Sequence, residues 1–149
     1  MSFLSPLLKQ PQQAFKLINR RNGRILAAQV LTAFDSKSRR QGLLGIDGLQ
    51  TGRALIIAPT NAIHTWFMRF PIDVAFIARD GRVVKVRHEL RPWRMSGAIG
   101  GYAVIELPAG TLAAADTAPE DLVSFEPCMN GRKCLRLSAA RKDRGRKAL

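Results

Sequence analysis

Residues Ile63–Val84 read IHTWFMRFPIDVAFIARDGRVV, an apolar run in which a histidine, a tryptophan and an aspartate are embedded. The run predicts three strands, Ile63–Phe70, Ile72–Ala78 and Arg82–Val86. Pro71 separates the first two, because proline lacks the backbone donor that a central strand needs. Asp80-Gly81 predicts a tight turn between the second and third, since both positions tolerate positive φ. Strands joined by so short a turn pair in the antiparallel sense.

The same pattern of short strands and tight turns continues on both sides of this run. Further strands are predicted at Phe15–Asn19, Ile25–Leu31, Ala54–Ala58, Tyr102–Leu107 and Leu122–Phe125, with a helical turn at Thr111–Ala115. Asn22-Gly23 predicts a hairpin turn between the first two. Asp35 or Ser36 can cap a short helix that Gly42 would end. Roughly seven short strands predict a mostly β fold, a compact antiparallel sandwich or barrel with one or two short helices.

The length of 149 residues is that of one domain. Neither an internal repeat nor a linker divides the chain. We divide it into an N-terminal extension (1–14), a single β domain (15–127) and a basic C-terminal tail (128–149) that we expect to be partly disordered.

Charge is unevenly distributed along the chain, which carries 24 Lys and Arg against 11 Asp and Glu, a net charge of +13. No basic residue lies between Met95 and Pro127, whereas eight lie between Arg132 and Leu149. A basic tail can contact nucleic acid or an anionic surface by charge alone, or it can be a solvated terminus that aids solubility. The candidate contacts for nucleic acid or an anion are Arg132, Lys133, Arg136, Arg141, Lys142, Arg144, Arg146 and Lys147.

Nothing in the sequence resembles a membrane-spanning segment of about 18 apolar residues. The N-terminus lacks the positively charged start of a secretory signal, and Ser5-Pro6 interrupts its apolar stretch. We therefore expect a cytoplasmic protein. Cys128 and Cys134 match no zinc motif and are expected to be reduced thiols, with a local disulfide as the alternative.

Polar side chains inside an apolar run indicate either a binding site or a satisfied internal network, because an unpaired buried polar group costs about 1–3 kcal/mol. An extended Ile63–Phe70 would place His64 and Met68 on one face. Asp73 needs a donor, and His64 is a candidate, because a carboxylate can fix the tautomer of an imidazole and raise its basicity. The candidate ligand-binding residues are His64, Thr65, Met68, Arg69, Asp73, Trp93 and Glu106.

Two points about this candidate set stay open. Glu106 is a second embedded carboxylate, and strand alternation does not say whether it faces the same cavity as Asp73. His64 and Met68 could ligate a soft metal. A methionine beside aromatic residues is more typical of core packing, so we predict no metal and no cofactor.

Several sequence blocks resemble, in their order, the bacterial and archaeal family called domain of unknown function 192. The blocks are Arg40-Gln41-Gly42-Leu43-Leu44-Gly45, Ile63-His64-Thr65 with Met68, Pro71-Ile72-Asp73-Val74, Asp80-Gly81, Pro92-Trp93-Arg94 and Glu106-Leu107-Pro108-Ala109-Gly110. The resemblance spans 19–125 and implies a compact, mainly β fold with a small cavity near the histidine and aspartate blocks. It implies no reaction. The chain departs from the family at Ile46, where relatives often have arginine, and at Pro119-Glu120-Asp121, where they often have a Gly-Asp turn.

Three functions are compatible with these features. The first is binding of a small molecule or short peptide in a polar pocket around His64, Thr65, Arg69, Asp73 and Glu106. The second is charge-driven binding of nucleic acid or an anionic surface through the basic tail. The third is an uncharacterised hydrolase with His64 as base and Asp73 as its orienting partner. Whether the protein is an enzyme is left open, because no nucleophile lies within the central run.

Overall fold

The computed structural model of the protein describes residues 2–129. All candidate contacts of the basic tail, from Arg132 to Lys147, lie outside that range. Within it, the helices and strands in chain order are α1 (Ser5–Lys9), β1 (Phe15–Asn19), β2 (Ile25–Ala27), β3 (Gln29–Ala33), α2 (Ser36–Gln41), β4 (Arg53–Ile57), β5 (Ala62–His64), β6 (Ile72–Ile77), β7 (Val83–Leu90), β8 (Met95–Gly97), β9 (Ala103–Pro108), α3 (Thr111–Ala114) and β10 (Val123–Pro127).

These strands form three sheets. The largest has the order β3-β4-β9-β6-β7, the second has the order β10-β1-β2, and the third pairs β5 with β8. The pairs are antiparallel, except that β3 and β4 run parallel. Parallel neighbours need a crossover connection, and here residues 34–52, including α2, provide it.

The five-stranded sheet is buried on both faces. One face packs against the three-stranded sheet, α1 and α3, in a first core that includes Leu7, Leu17 and Leu112. The other face carries a second core that includes Phe76 and Met68. Because both faces are covered, the central strands β4, β6 and β9 are almost wholly apolar. The predicted β-rich sandwich is confirmed; the sheets do not close into a barrel, and the described part has three short helices.

Two local predictions are confirmed in detail. Asp35 caps α2, because its side chain accepts hydrogen bonds from the backbone N–H groups of Lys37 and Ser38, and the helix ends at Gly42. The turn at Asp80-Gly81 joins β6 to β7, with Gly81 at φ +97°. A Cβ atom on Gly81 would lie 2.8 Å from the Val123 carbonyl oxygen, so the close approach of β10 also requires glycine here.

The strand predicted at Ile63–Phe70 is wrong beyond its beginning. Strand β5 stops at His64, and the chain then turns, with Met68 N–H donating to the Thr65 carbonyl. The turn separates side chains that strand alternation would have placed together. Met68 is buried, whereas Trp66 is 41% exposed.

Both ends of the described chain contact the domain. In the N-terminal segment, Leu4 and Leu7 are buried in the first core. At the other end, Cys128 N–H donates to the Ala14 carbonyl, next to β1. Cys128 is disulfide-bonded, so the expectation of a reduced thiol is wrong for this residue.

Candidate functional site

A cavity of about 620 Å³ lies between the α2 crossover and the second-core face of the five-stranded sheet. Ligand pockets in proteins typically have volumes of about 300–1,000 Å³. We call it the α2 cavity. Its lining residues are Ser36, Arg39, Arg40, Gln41, Gly42, Leu43 and Leu44 from the crossover, Ile57 and Glu106 from the sheet, Pro59, Thr60, Ala62, Ile63 and His64 from the segment around β5, and Met68.

Glu106 is the polar group on the sheet side of this cavity. It lies in β9 between Leu55 of β4 and Val74 of β6, and is only 4% exposed. Its Oε2 atom is buried and has no hydrogen-bond partner within residues 2–129. Burial raises the pKa of Glu106 from 4.5 to about 7. Near neutral pH the carboxyl group can therefore donate or accept a hydrogen bond, and no residue of the described range supplies a partner for Oε2.

The opposite side of the cavity is cationic. Arg39 and Arg40 belong to α2; Arg39 donates to the Phe34 carbonyl at 2.7 Å, and Arg40 Nε donates to the Ser36 carbonyl at 3.2 Å. Neither forms an ion pair with any residue in the described part of the chain. These backbone contacts hold both guanidinium groups beside the opening, where their charge favours an anion.

Apolar side chains complete the walls, and His64 lies at the rim. Leu43, Ile57 and Met68 are buried members of the second core that also line the cavity. His64 is exposed, and its ring stacks on Trp66 with 4.7 Å between centroids. The cavity thus combines an apolar wall with one buried carboxyl group and a basic rim.

Asp73 does not belong to this cavity, contrary to the sequence-based hypothesis. It pairs with Leu107 in the sheet, so its side chain points into the first core, on the face opposite Glu106. The side chain is fully buried, and its two oxygens accept hydrogen bonds from the backbone N–H groups of Glu89 and Leu112, both at 2.9 Å. The predicted pairing of Asp73 with His64 is not formed, because Asp73 points into the first core whereas His64 lines the cavity on the opposite face of the sheet.

Three further candidates also lie away from the cavity lining. Thr65 is fully buried; its hydroxyl donates to the Arg91 carbonyl at 2.6 Å and accepts from Arg94 N–H at 2.9 Å. Arg69 forms an exposed ion pair with Asp47. Trp93 is 57% exposed, and its ring contacts that of Phe67. Of the seven candidates, the structure brings only His64, Met68 and Glu106 to the cavity.

Sequence reasoning missed the cationic side of the cavity. Arg40 was recognised only as part of a family block, and Arg39 was not singled out. The available signal was this block, Arg40–Gly45, whose members other than Gly45 all line the cavity. Nothing in its spacing revealed which face of the sheet it would cover.

The described residues show neither a metal cluster nor a membrane-spanning helix. No group of three or more His, Cys, Asp or Glu side chains is placed to hold a metal ion within residues 2–129. In the same part of the chain, no helix has the length and apolar character needed to cross a bilayer.

Comparison with known proteins identifies the family. The model of the family DUF192, described as "Uncharacterized ACR", matches residues 17–125. The chain belongs to the DUF192 family. No curated protein matches it.

Two crystal structures resemble this member of DUF192. A "putative transcription regulator" from Sinorhizobium meliloti 1021 is 22% identical, with a TM-score of 0.67 over 76% of this chain and 92% of that one. A protein of unknown function from Novosphingobium aromaticivorans DSM 12444 is 19% identical, with a TM-score of 0.64 over 74% of this chain and 83% of that one. At such identities the likeness establishes the fold alone.

Proposed function

We propose that the protein binds a small organic molecule in the α2 cavity, with the Glu106 carboxyl group contacting it at the floor. The observation that carries the proposal is the buried Oε2 atom, which faces no donor or acceptor among residues 2–129. Buried polar atoms in folded proteins almost always have a partner. A ligand atom in the adjoining cavity would supply the one that Glu106 lacks.

The lining favours an organic acid with an apolar body. Protonated Glu106 can donate a hydrogen bond to an acceptor oxygen, and Leu43, Ile57 and Met68 offer apolar contact. The guanidinium groups of Arg39 and Arg40 attract a carboxylate at the rim and disfavour an amine. A ligand with an acid group at one end and an acceptor oxygen at the other would satisfy both sides.

A thermal-shift screen of small organic acids, each paired with its amide or amine analogue, tests this proposal. Acids that bind should raise the melting temperature of the wild-type protein by several degrees, because a ligand at 100 times its Kd stabilises by about 2.7 kcal/mol. Glu106→Leu keeps the buried volume similar but removes the hydrogen-bonding group, so the same acids should no longer stabilise it. Arg40→Gln should weaken the preference for the acid over its amide.

Glu89→Gln is the matched control, because it removes an exposed carboxylate away from the cavity lining. It should respond to ligands as the wild type does. Acids that stabilise Glu106→Leu as strongly as the wild type would bind elsewhere and contradict the proposal.

The other two functions have less support. The hydrolase hypothesis needs a carboxylate to orient His64, and Asp73 is bonded to backbone amides instead. Contact with nucleic acid or an anionic surface through the basic tail stays a prediction, because Arg132 to Lys147 lie outside the described residues. Ligand binding is therefore the function that the described geometry favours.

A further inference from the structure

A second surface, outside the α2 cavity, exposes four large apolar side chains. Trp66, Phe67, Trp93 and Met95 are 41%, 68%, 57% and 67% exposed. We call them the aromatic surface. Soluble proteins rarely expose contiguous large apolar patches unless the patch binds something.

Specific contacts bring these side chains together. Met95 pairs with His64 across the β5–β8 sheet, and the His64 ring stacks on Trp66. Trp93 N–H donates to the Thr65 carbonyl, and the rings of Phe67 and Trp93 lie 4.7 Å apart, inclined at 59°. The 65–68 and 91–95 segments therefore present one surface, fixed at its base by buried Thr65.

The backbone holds two of the rings in an unfavourable conformation. Phe67 and Trp93 both have φ of +64°, a region that costs a bulky side chain roughly 1–2 kcal/mol. The hydrogen bonds of Thr65 with Arg91 and Arg94 stabilise the second of these turns. Such strain is characteristic of binding sites and catalytic sites.

The charge around this surface is positive. Arg91 and Arg94 are exposed, and neither forms an ion pair with a residue in the described range. Within residues 2–129 the guanidinium group of Arg94 donates only to the neighbouring Trp93 carbonyl, at 3.3 Å. A protein surface that lies on an anionic bilayer typically combines three features. Its tryptophan side chains lie at the level of the headgroups, its apolar side chains lie deeper, and its arginine side chains contact lipid phosphates.

We propose that the aromatic surface docks onto anionic lipid bilayers, with Phe67, Trp93 and Met95 entering the acyl boundary and Arg91 and Arg94 contacting lipid phosphates. Single-stranded nucleic acid is the main alternative, since bases stack on exposed aromatic rings. The bilayer is favoured because Met95 offers no stacking plane, and because the Phe67 and Trp93 rings are inclined and in contact with each other.

Tryptophan fluorescence of the full chain tests the proposal directly, because Trp66 and Trp93 are the two tryptophans of the protein. Vesicles of phosphatidylglycerol and phosphatidylcholine in equal amounts should shift the emission to shorter wavelength. Lipids brominated on the acyl chain should quench it. Vesicles of phosphatidylcholine alone should bind at least tenfold more weakly.

A double variant, Phe67→Ser with Met95→Ser, keeps both tryptophans. It should bind the mixed vesicles at least tenfold more weakly, because burial of each apolar side chain contributes more free energy than a tenfold change in affinity requires. Leu8→Ser is the matched control, because Leu8 is 57% exposed on α1 and should leave binding unchanged. Circular dichroism and the melting temperature verify that each variant is folded.

Three outcomes would overturn the proposal. The first is emission that the mixed vesicles do not change. The second is vesicle binding by the double variant that is as strong as that of the wild type and vanishes at high salt. Such binding would be assigned to the charge of the basic tail. The third is quenching by a single-stranded RNA that the double variant abolishes while vesicles have no effect, which would identify a nucleic-acid surface.

Discussion

Asp73 and Glu106 are buried carboxyl groups on neighbouring strands, and they differ in the face of the sheet they occupy and in their hydrogen bonding. Asp73 lies on β6 opposite Leu107, and Glu106 lies on β9 opposite Val74, one residue further along the pairing. Asp73 points into the first core and accepts two backbone hydrogen bonds. Glu106 points to the other face, where its Oε2 atom has no partner in the described part of the chain.

The difference shows that burial alone does not distinguish a carboxyl group that joins structural elements from one whose oxygen lacks a hydrogen-bond partner among the described residues. Asp73 satisfies Leu112 N–H in the first turn of α3, a donor that the helix itself leaves unpaired. It also satisfies Glu89 N–H, where β7 pairs irregularly with β6 and Glu89 adopts φ +49°. The Oε2 atom of Glu106 joins no such elements within residues 2–129. The presence or absence of hydrogen-bond partners among the described residues is therefore the property that distinguishes Asp73 from Glu106.

Replacement of Asp73 should give the largest effect. Asp73→Asn leaves one acceptor and turns an amide group towards a backbone donor, so the free energy of unfolding should fall by about 3 kcal/mol or more. Urea unfolding at neutral pH measures it. Asp47→Asn, which removes an exposed ion pair with Arg69, is the control and should cost less than about 1 kcal/mol. Equal losses in both variants would mean that Asp73 is not architectural.

Replacement of Glu106 should have a smaller effect that depends on pH. Because the pKa of Glu106 is about 7 in the folded protein and 4.5 ordinarily, the contribution of this group to the stability of the wild type is full below pH 4.5 and falls as pH rises to about 7. The loss amounts to about 3 kcal/mol at most. Glu106→Gln stays neutral, so its stability relative to the wild type should rise between pH 5 and pH 8.

Thermal melts of wild type, Glu106→Gln and Glu89→Gln across that pH range test this expectation. A buried glutamine has its own unpaired amide, but that cost does not vary with pH. The slope of the difference is therefore the diagnostic quantity. Parallel pH profiles for wild type and Glu106→Gln would show that Glu106 already has a partner.

Thr65 is a third buried polar group, whose hydroxyl forms hydrogen bonds without carrying a charge. Its replacement should give the smallest of the three effects. Thr65→Val should lower the free energy of unfolding by about 1–2 kcal/mol, because it leaves the Arg91 carbonyl and Arg94 N–H without this partner. Thr65→Ser keeps the hydroxyl and should lose less. Urea unfolding gives the energies, and Trp93 emission reports the turn. If serine and valine cost the same, the methyl packing of Thr65, and not its hydroxyl, holds the turn.

The sequence allowed the β-rich sandwich, the Asp35 cap and the Asp80-Gly81 turn to be predicted, because each depends on neighbouring residues. The turn after His64 could not be predicted, because it depends on hydrogen bonds between Thr65 and residues about 26–29 positions away. The partners of Asp73 are equally remote, 16 and 39 positions along the chain.

The second limit on prediction from the sequence was the face of the sheet on which a side chain lies. In a sheet buried on both sides, strands are apolar throughout, so alternation does not tell one core from the other. Asp73 and Glu106 could therefore be recognised as embedded carboxylates but not placed. The family blocks located the α2 cavity more closely than any single residue did, since Arg40–Leu44, His64 and Glu106 all line it.

The crossover between the parallel strands β3 and β4 has a kinetic consequence. Of residues 34–52, Leu43 alone is buried, and α2 buries none of its side chains. Phe34, Leu44 and Leu49 pack only partly buried against the cores, so displacing this segment exposes less apolar surface and needs less free energy than separating the strands beneath it. The wall of the α2 cavity can therefore open on a faster timescale than global unfolding. If the cavity binds a molecule as proposed, movement of this one segment would widen the cavity while the hydrogen-bonded sheet stays intact.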